Sequence, residues 1–569
     1  MKKFAVFGVA SAVLLSGAFG LAATQASSQA SQAAETEQGI PVTDPLVIEK
    51  CGACHTADEK GNLSRISWTR TTPEGWAQAI RRMSRQHGLQ ATPAEIRSVI
   101  KYLSNSHGLA PEEAKPVMYM PEHRIVDETL IPNNDVRQAC ASCHAFGLPM
   151  SWRRSKAEWQ GLRNFHVALY AQAEAQFRGG GLGPEPEGKK KPGDVAFEFL
   201  NQNATLHTPQ WAAWRSRIRQ PELVGRWLVS ASVPGQGKYV GEMVVEQAGA
   251  PDEFKTTTTL RSLKDGATLT RTGTGLVYSG YSWRGRSAGP GRAARPDDLS
   301  SEAREVLWIA PNQASAEGRW FWGAYSEFGY DVKLTRATSA PSVVAVTPGA
   351  VKAGSTVQLR ILGDNFPQRV AVSDISLGAG VTPRRIVSQS AKEIVVEAQV
   401  AAGATSGDRD VAVAGAALEK AFPVYSKVDF VKVTPETAMA RLGSDNHPRG
   451  YQQFEAIGYE NGPDGKSGTA DDLALGPIDV TWTMDEFMTI QNDDDTQFVG
   501  QLSPNAFFTP AQNGPNPRRK FMRNNYGDVW VTATAKSEKD AFGRPLTGRA
   551  YLVVTVPLYQ RWEYPELSR

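Results

Sequence analysis

All four cysteines of this 569-residue chain lie in two copies of one pattern, "CGACH" at 51–55 and "CASCH" at 140–144. Each copy spaces its thiols C-x-x-C and places a histidine directly after the second thiol. Because the chain contains only 8 histidines, their position after both pairs is informative. Two thiols at this spacing can bond to the two vinyl groups of a haem, and the adjacent imidazole then ligates the iron. The pattern predicts two c-type haems.

Two other chemistries compete for these cysteines. An oxidising compartment favours disulfides, but the C-x-x-C spacing and the two histidines do not fit a disulfide framework. A structural zinc site is the second alternative, but the two pairs lie far apart and each has its own histidine. The residues predicted to hold two covalently bound haem c groups are Cys51, Cys54 and His55 for the first, and Cys140, Cys143 and His144 for the second.

The second axial ligand of each iron must come from the segment after each motif. "TTPEGWAQAIRRMSRQHG" follows the first motif and "SKAEWQGLRNFHVALY" follows the second. Aligning Trp76 with Trp159 places Met83 over His166, so the two segments form an internal repeat. Both residues lie two helical turns after the tryptophan, on its face of the helix. Because thioether sulfur and imidazole both ligate haem iron, we predict Met83 for the first haem and His166 for the second.

Other residues remain alternatives for these axial positions. The competitors are His107, Met118, Met120 and His123 for the first haem and Met150 for the second. The same alignment places Arg70 over Arg153. We expect both arginines to be exposed at the helix entries, with ion pairs to haem propionates as the alternative.

Helix signals frame the two repeated segments. Thr72 is a predicted N-cap with Pro73 at the first helical position, and Ser155 and Glu158 form a predicted capping box. A further helix, "TPAEIRSVIKYLSNSHG", starts at a second capping box and ends at a glycine. Residues 31–178 are therefore predicted to form an all-α dihaem cytochrome c domain.

The composition changes after this domain. "RGGGLGPEPEGKKKPGD" has no hydrophobic periodicity, so residues 179–219 are predicted to be a linker. Short β-branched and aromatic runs follow, broken by Gly, Asp and Pro at the spacing typical of antiparallel barrels and sandwiches. The predicted fold is a multidomain α plus β chain, in which three antiparallel β barrel or sandwich domains follow the cytochrome domain. These β domains are predicted at 220–340, 341–426 and 427–569.

Two parts of the β region carry further signals. "VVAVTPGAVKAGSTVQLRILGDNF", within 341–426, resembles the opening strands of immunoglobulin-like IPT/TIG domains, which speaks to fold and not to chemistry. The acidic segments 461–476 and 491–495 suggest calcium, but their spacing does not match an EF-hand. Whether the loop at 461–476 binds an ion is left open.

The first residues predict export. Lys2 and Lys3 precede an apolar run and then small and polar residues, which is the layout of a secretory signal peptide over residues 1–30. An uncleaved membrane anchor is the alternative. We expect a soluble periplasmic protein with no membrane partner. The net charge of +3 gives no reason to expect a nucleic-acid partner.

Together, the signal peptide, the two C-x-x-C-H motifs, the tryptophan repeat and the three β domains resemble the α subunit of quinohaemoprotein amine dehydrogenase. The resemblance covers essentially the whole mature chain. It implies a periplasmic heterotrimer in which a small cross-linked γ subunit carries a quinone cofactor and a β-propeller subunit supports it. It also implies that this chain passes electrons through its haems to a soluble acceptor, such as a cupredoxin or a cytochrome c.

Two functions of other classes remain alternatives. A free-standing dihaem enzyme such as a peroxidase would need one iron with an open or displaceable sixth position and a nearby acid or base. A β-domain adhesion or scaffold protein with an attached cytochrome is the second alternative. The chain has no hydrolase, nucleotide-binding or zinc-protease motif, so we expect it to have no catalytic residues and no substrate site of its own.

Overall fold

The computed structural model describes residues 37–118, 131–179, 188–488 and 493–557. The predicted signal peptide lies outside these residues. Within the described ranges, no helix combines the length and apolar character needed to cross a bilayer. The chain divides into two compact units, residues 1–218 and 219–569.

Helices make up most of the first unit. They are α1 Pro45–Cys51, α2 Pro73–His87, α3 Pro93–Ser106, α4 Pro111–Ala114, α5 Asn134–Ala141, α6 Gly147–Met150, α7 Lys156–Leu169, α8 Ala171–Arg178, α9 Pro192–Asn203 and α10 Pro209–Arg215, with a 3-10 turn at Ile66–Trp68. Two short strands, β1 Thr69–Thr71 and β2 Trp152–Arg154, pair antiparallel. The predicted helical character is present, whereas the strand pair was not predicted.

The helices that carry the proposed distal ligands begin at the predicted caps. The hydroxyl of Thr72 accepts a backbone N–H at 3.3 Å at the start of α2, and the hydroxyl of Ser155 does the same at 3.3 Å at the start of α7. In α3, Thr92 and Glu95 form a complete capping box. These caps satisfy N–H groups that have no partner inside the helix, and so define where each helix begins.

The two sequence repeats of this unit meet at the β1–β2 ladder. Arg70 and Arg153, which the sequence alignment equates, face each other at the centre of the β1–β2 ladder. The residues on either side pair in the same symmetric order. Each strand leads directly into the helix that carries a predicted distal ligand, α2 or α7, so the ladder links the starts of the two helices.

A second helix, α3 in the first half and α9 in the second, packs against the tryptophan of each repeat and is called its closing helix. Nε1 of Trp76 donates to the carbonyl of His107 at the end of α3, at 3.0 Å. Nε1 of Trp159 donates to the carbonyl of Ala204 at the end of α9, also at 3.0 Å. Helix α9 is therefore the counterpart of α3 in the second half.

The predicted linker at 179–219 is wrong over its described part. Helix α9 packs Phe197 and Leu200 into the same apolar cluster as Trp159, and α10 buries Trp211 and Trp214. The sequence did carry a helix signal here, because Pro192 occupies the first turn of a run with apolar residues at helical spacing. The adjacent Gly-, Pro- and Lys-rich residues outweighed that signal in the prediction.

The second unit begins with a closed eight-stranded barrel. Its strands are β3 Gly225–Val233, β4 Gly237–Gln247, β5 Glu253–Ser262, β6 Thr268–Tyr278, β7 Ser282–Ala288, β8 Ala303–Ile309, β9 Ser315–Trp322 and β10 Phe328–Arg336. Each strand pairs with the next and β10 pairs with β3, all antiparallel. Inward and outward residues alternate, as in β5, and Trp320 and Tyr330 are fully buried.

Two four-stranded sheets form the next domain. Its strands are β11 Ser342–Thr347, β12 Val351–Lys352, β13 Thr356–Asp364, β14 Ile375–Ser376, β15 Val381–Gln389, β16 Glu393–Val400, β17 Gly407–Val413 and β18 Ala416–Tyr425. The strand orders are β11–β13–β16–β15 and β12–β18–β17–β14. The pair β12–β18 is parallel, so the prediction of a purely antiparallel domain is wrong at this edge.

The last domain contains three small sheets around one apolar core. Its elements are β19 Phe430–Thr434, β20 Thr437–Arg441, β21 Gln452–Gln453, β22 Glu455–Glu460, β23 Leu473–Pro477, β24 Val480–Glu486, α11 Asp495–Phe498, β25 Gly500–Leu502, β26 Phe507–Pro510, β27 Gly527–Lys539 and β28 Pro545–Thr555. The sheets are ordered β19–β22–β23, β20–β28–β27–β24 and β21–β26–β25. Strands β20 and β28 pair parallel, which again departs from the predicted antiparallel arrangement.

Candidate haem-binding site

The first C-x-x-C-H motif lies at the end of α1. Cys51 is the last residue of this helix and is half-buried, Cys54 is exposed, and both thiols are free. Nδ1 of His55 lies 2.8 Å from the carbonyl oxygen of Ser64, so Nδ1 carries the proton and Nε2 keeps its lone pair. A neutral imidazole with a free Nε2 is the form that ligates iron, and the bond to Ser64 fixes its orientation.

The second motif is more deeply embedded. Cys140 lies in α5, between the two apolar clusters of this half, and burial raises the pKa of its thiol to about 12. Cys143 is exposed, and neither thiol of this pair forms a disulfide. Nδ1 of His144 lies 3.1 Å from the carbonyl oxygen of Ala145, which again leaves Nε2 available.

In the second half, His144 and His166 each have Nδ1 close to a backbone carbonyl oxygen. Burial lowers the pKa of His144, the carbonyl of Ala145 opposes this, and the nearby charge of His166 lowers the pKa further. Nδ1 of His166 lies 2.9 Å from the carbonyl oxygen of Leu162 in its own helix, so its Nε2 is also free. Each of the two imidazoles therefore has an Nε2 that could ligate iron.

Met83 lies near the end of α2 and is half-buried. Its backbone carbonyl accepts the N–H of Gly88, which ends the helix in a left-handed conformation. Its assignment as the distal ligand of the first haem stays a prediction.

The described alternatives for the distal positions lie in different surroundings. His107 is wrong as a ligand, because it is fully buried and both ring nitrogens are engaged, Nδ1 with the hydroxyl of Ser106 at 2.7 Å and Nε2 with the carbonyl of Ile40 at 3.0 Å. Met118 is buried, and Met150 packs into both apolar clusters around Cys140.

Two further competitors, Met120 and His123, lie outside the described residues. Among the described methionines, Met118 remains an alternative ligand for the first haem and Met150 for the second.

Arg70 and Arg153 contradict the expectation that they are exposed. Their exposures are 0% and 6%, and both bind the buried carboxylate of Glu113. Arg70 forms a two-pronged pair with Glu113 at 2.8 and 3.0 Å, and Nε of Arg153 reaches the same carboxylate at 3.2 Å. Because Glu113, backbone carbonyls and the ring of Trp211 surround these guanidiniums, they are not the propionate partners that we considered.

The residues around His166 fit a large apolar cofactor. The rings of Phe165, Tyr170 and Phe177 have centroids 6.1–6.4 Å from the imidazole. Yet Phe165 is 39% exposed and Tyr170 is 53% exposed, although both border a helix that packs into the unit. A haem face would cover such side chains, whereas a small metal ion would not. The donor set, four free thiols and three imidazoles with free Nε2, agrees with this assignment.

Protein-family models match the chain in four consecutive segments. They are described as quinohemoprotein amine dehydrogenase A, alpha subunit, haem binding (residues 42–180), and as domains II (220–337), III (340–426) and IV (431–567) of the quinohemoprotein amine dehydrogenase alpha subunit. The chain belongs to this alpha-subunit family. It is therefore a haem-binding member of a multisubunit amine dehydrogenase complex.

Other comparisons add little to this assignment. A search of curated proteins gave no significant match. Among solved structures, a de novo designed fluorescence-activating β-barrel shares 20% identity over 20% of this chain and 93% of its own, with a TM-score of 0.16. Human protocadherin-24 EC1-2 shares 9% identity over 39% of this chain and 99% of its own, with a TM-score of 0.15. At these TM-scores the likeness supports no conclusion about fold or function.

The acidic segments of this alpha subunit have ion-pair and hydrogen-bond partners within the described residues. Asp493, Asp494 and Asp495 lie close enough to share an ion, but Arg519 and Arg523 already bind them. Nη2 of Arg519 lies 2.6 Å from Asp494, and Nη2 of Arg523 lies 2.7 Å from Asp494 and 3.0 Å from Asp495.

In the loop at 461–476, the carboxylate of Asp472 holds the turn together. It accepts the backbone N–H groups of Gly462, Gly468 and Thr469 at 2.7–3.2 Å. These hydrogen bonds give the acidic residue a structural role within the loop.

The buried Glu113 carboxylate should dominate the stability of the haem-binding unit. Replacing it in Glu113→Gln should lower the free energy of unfolding at neutral pH by about 3–5 kcal/mol, because two buried guanidiniums lose their counter-charge. The exposed neighbour provides the control, Glu112→Gln, which should change little. Denaturant unfolding followed by circular dichroism measures both. Equal stabilities of the two variants would contradict this role.

The same carboxylate predicts a pH dependence. Burial alone would raise the pKa of Glu113, but the charge and hydrogen bonds of Arg70 and the charge of Arg153 lower it to about 2. Its contribution is therefore complete above the ordinary glutamate pKa of about 4.3 and is lost as the pH falls towards about 2. The difference in stability between wild type and Glu113→Gln should shrink over this range.

Proposed function

We propose that this chain is the electron-transfer subunit of a periplasmic amine-oxidising heterotrimer. It receives electrons from a quinone cofactor held by a partner subunit and delivers them, through two c-type haems, to a soluble acceptor such as a cupredoxin or a cytochrome c. The duplicated C-x-x-C-H motif, with four free thiols in a helical unit whose two repeats meet at one strand pair, carries this proposal. The family match supports the amine dehydrogenase context.

The residues proposed to hold the haems divide by role. The thioether bonds are assigned to Cys51, Cys54, Cys140 and Cys143, the proximal positions to His55 and His144, and the distal positions to Met83 and His166. A bound c-type haem supplies reversible one-electron transfer. The chain supplies oriented ligands, because hydrogen bonds at Nδ1 of His55 and His166 hold each ring with Nε2 free.

The β domains are proposed to dock the partner subunits. The proposed partners are a β-propeller subunit and a small quinone-bearing γ subunit, and residues 341–426 are proposed to be an IPT/TIG-type domain. Aromatic and arginine side chains are the usual anchors of protein interfaces, and the second unit is rich in both. Export by the signal peptide at 1–30 would place the assembly in the periplasm.

The axial assignments predict different potentials for the two haems. Thioether sulfur stabilises ferrous haem relative to imidazole, so the first haem should have the higher potential. In His166→Met, the second potential should rise and a second methionine–iron band should appear in the near-infrared spectrum. Met83→Ala should abolish the methionine–iron band that the wild-type chain shows for its first haem, whereas the control Met118→Ala should keep that band. A band that survives Met83→Ala would move the ligand to Met118, Met120 or Met150.

The function itself is tested with a primary amine such as butylamine. The purified haem-loaded chain should show no haem reduction, because it has no carbonyl cofactor that could form a substrate adduct. The complex reassembled with its partner subunits should show rapid reduction. Reduction by the isolated chain, or turnover of peroxide by it, would contradict the proposal and favour a free-standing dihaem enzyme.

A further inference from the structure

One loop of the last domain exposes large apolar side chains at its tip. Residues 518–526, between β26 and β27, are called the Phe521 loop. Phe521 is 89% exposed, Met522 is 59% exposed and Tyr526 is 45% exposed. Single exposed apolar residues are ordinary on protein surfaces, but several in one loop are the usual mark of an interaction site. The Phe521 loop therefore has the composition of a contact surface.

Exposed cations flank these apolar side chains. The segment 513–526 contains four basic residues and no acidic residue. Two of the four, Arg518 and Lys520, are exposed and form no ion pair with any described residue. Nζ of Lys520 lies 5.2 Å from the ring centroid of Phe521, so positive charge lies directly beside the apolar tip.

The backbone at the tip is in an unfavourable conformation. Phe521 has a φ of 62° and a ψ of 24°, and Met522 has a φ of 53°. Both residues lie in the left-handed region, which residues other than glycine rarely adopt. Strained residues of this kind persist only where the surrounding structure holds them, and they cluster at binding sites. Glycine at either position would relieve the strain but would remove the exposed side chain.

Ion pairs hold the loop beneath its tip. The side chain of Arg519 is fully buried, and its Nη2 lies 2.6 Å from Asp494. Nη2 of Arg523 lies 2.7 Å from the same carboxylate. Nη1 of Arg519 also donates to the carbonyls of Asn524 and Tyr526, at 2.9 and 3.0 Å. Because Arg519 precedes the tip and Arg523 follows it, one carboxylate clamps both sides.

Asparagine side chains add a second set of restraints. Nδ2 of Asn516 donates to Oδ1 of Asn525 at 2.8 Å, and Nδ2 of Asn524 donates to Oδ1 of Asn513 at 2.8 Å. Each bond joins the segment before the tip to the segment after it. A loop that is ordered before binding loses little conformational entropy when a partner binds, so these restraints favour binding through the tip.

We propose that the Phe521 loop is an anchor through which this chain binds a partner subunit of the amine dehydrogenase complex. The inference rests on the proposed function and assigns its docking role to one loop. The partner surface that fits is an apolar pocket with an acidic rim. The pocket accommodates Phe521 and Met522, which are residue types enriched at interface cores, and the rim carboxylates pair with Arg518 and Lys520.

A permanent subunit fits this loop better than a transient acceptor. Permanent interfaces are the more apolar class, and the tip is apolar with cations only at its edge. The family model that spans residues 431–567 includes the loop and describes a subunit of an enzyme complex.

The same domain offers a matched control residue. Phe542 is 83% exposed in the turn between β27 and β28, at the opposite end of β27 from the Phe521 loop. Its backbone is not left-handed, and the guanidinium of Arg544 covers its ring at 5.1 Å from the centroid. Phe542 therefore has a similar exposure without the strain that marks the Phe521 loop.

The test measures binding of the full-length haem-loaded chain to the partner subunits purified from the native complex. Phe521→Ala should raise the dissociation constant about 30-fold or more, the effect of losing an interface hot spot. The control Phe542→Ala should change it less than about twofold. Surface plasmon resonance measures both. Equal dissociation constants for the two variants would overturn the inference.

Two further variants separate binding from folding and from charge. Phe521→Gly should weaken binding as much as Phe521→Ala without lowering the midpoint of denaturant unfolding, because glycine relieves the left-handed strain. Lys520→Glu should slow association and reduce its salt dependence, whereas Lys539→Glu, an exposed control at the other end of β27, should not. A Phe521→Gly chain that loses stability but keeps its affinity would contradict the binding role.

The remaining outcomes also decide the inference. Wild-type affinity of Phe521→Ala for the subunits would overturn it, even if that variant lost binding to the soluble acceptor, to a second copy of the chain or to phosphatidylglycerol vesicles. A wild-type chain that binds no partner subunit would overturn it as well. A complex that assembles as described but shows no haem reduction with butylamine would instead refute the proposed function and leave the docking role intact.

Discussion

The haem-binding unit depends on one buried ionic interaction, in which a single carboxylate holds two arginines at the centre of a sequence repeat. Arg70 and Arg153 are paired across β1 and β2, and Glu113 neutralises one of their two charges. An unpaired charge at this depth would be costly, so the three residues must assemble together. Each strand leads into the helix that carries Met83 or His166, and the interaction therefore holds the starts of both helices at one point.

The second unit holds its three β domains together by a different means. Glu393 of the middle domain binds Arg261 of the barrel at 2.8 Å and Arg360 of its own domain at 2.8 Å. The ring of Phe328 in the barrel stacks with Phe507 of the last domain, with centroids 6.0 Å apart. Charged and aromatic contacts therefore join the barrel to both of the domains that follow it.

Features encoded by neighbouring residues were predictable from the sequence. The C-x-x-C-H spacing, the caps at Thr72 and Ser155, and the equivalence of Trp76 and Trp159 all depend on local geometry. The burial of Arg153 was not predictable in this way, because its counter-charge is supplied across the repeat from a distant short helix. An arginine at a helix entry is usually exposed, and only tertiary pairing reverses that expectation.

The sequence-based predictions missed helix α9 and the two parallel strand pairs for related reasons. The local signal of α9 was present, but its role as the second closing helix depends on the bond from Trp159 to Ala204, which links distant residues. The pairing of β12 with β18 and of β20 with β28 likewise joins strands far apart in sequence. The alternation of apolar and polar residues along one strand does not reveal which strand pairs with it.

The central claim is that this chain carries two covalently attached haems, one on each half of the repeat. Intact-mass spectrometry of the denatured chain, combined with a pyridine haemochrome assay, measures the number and the attachment of the haems directly. The account predicts a mass increase of two haems for the wild-type chain, and of one haem for the variant with Cys140→Ala and Cys143→Ala. A wild-type chain with one haem, with none, or with haem that is lost on denaturation would contradict it.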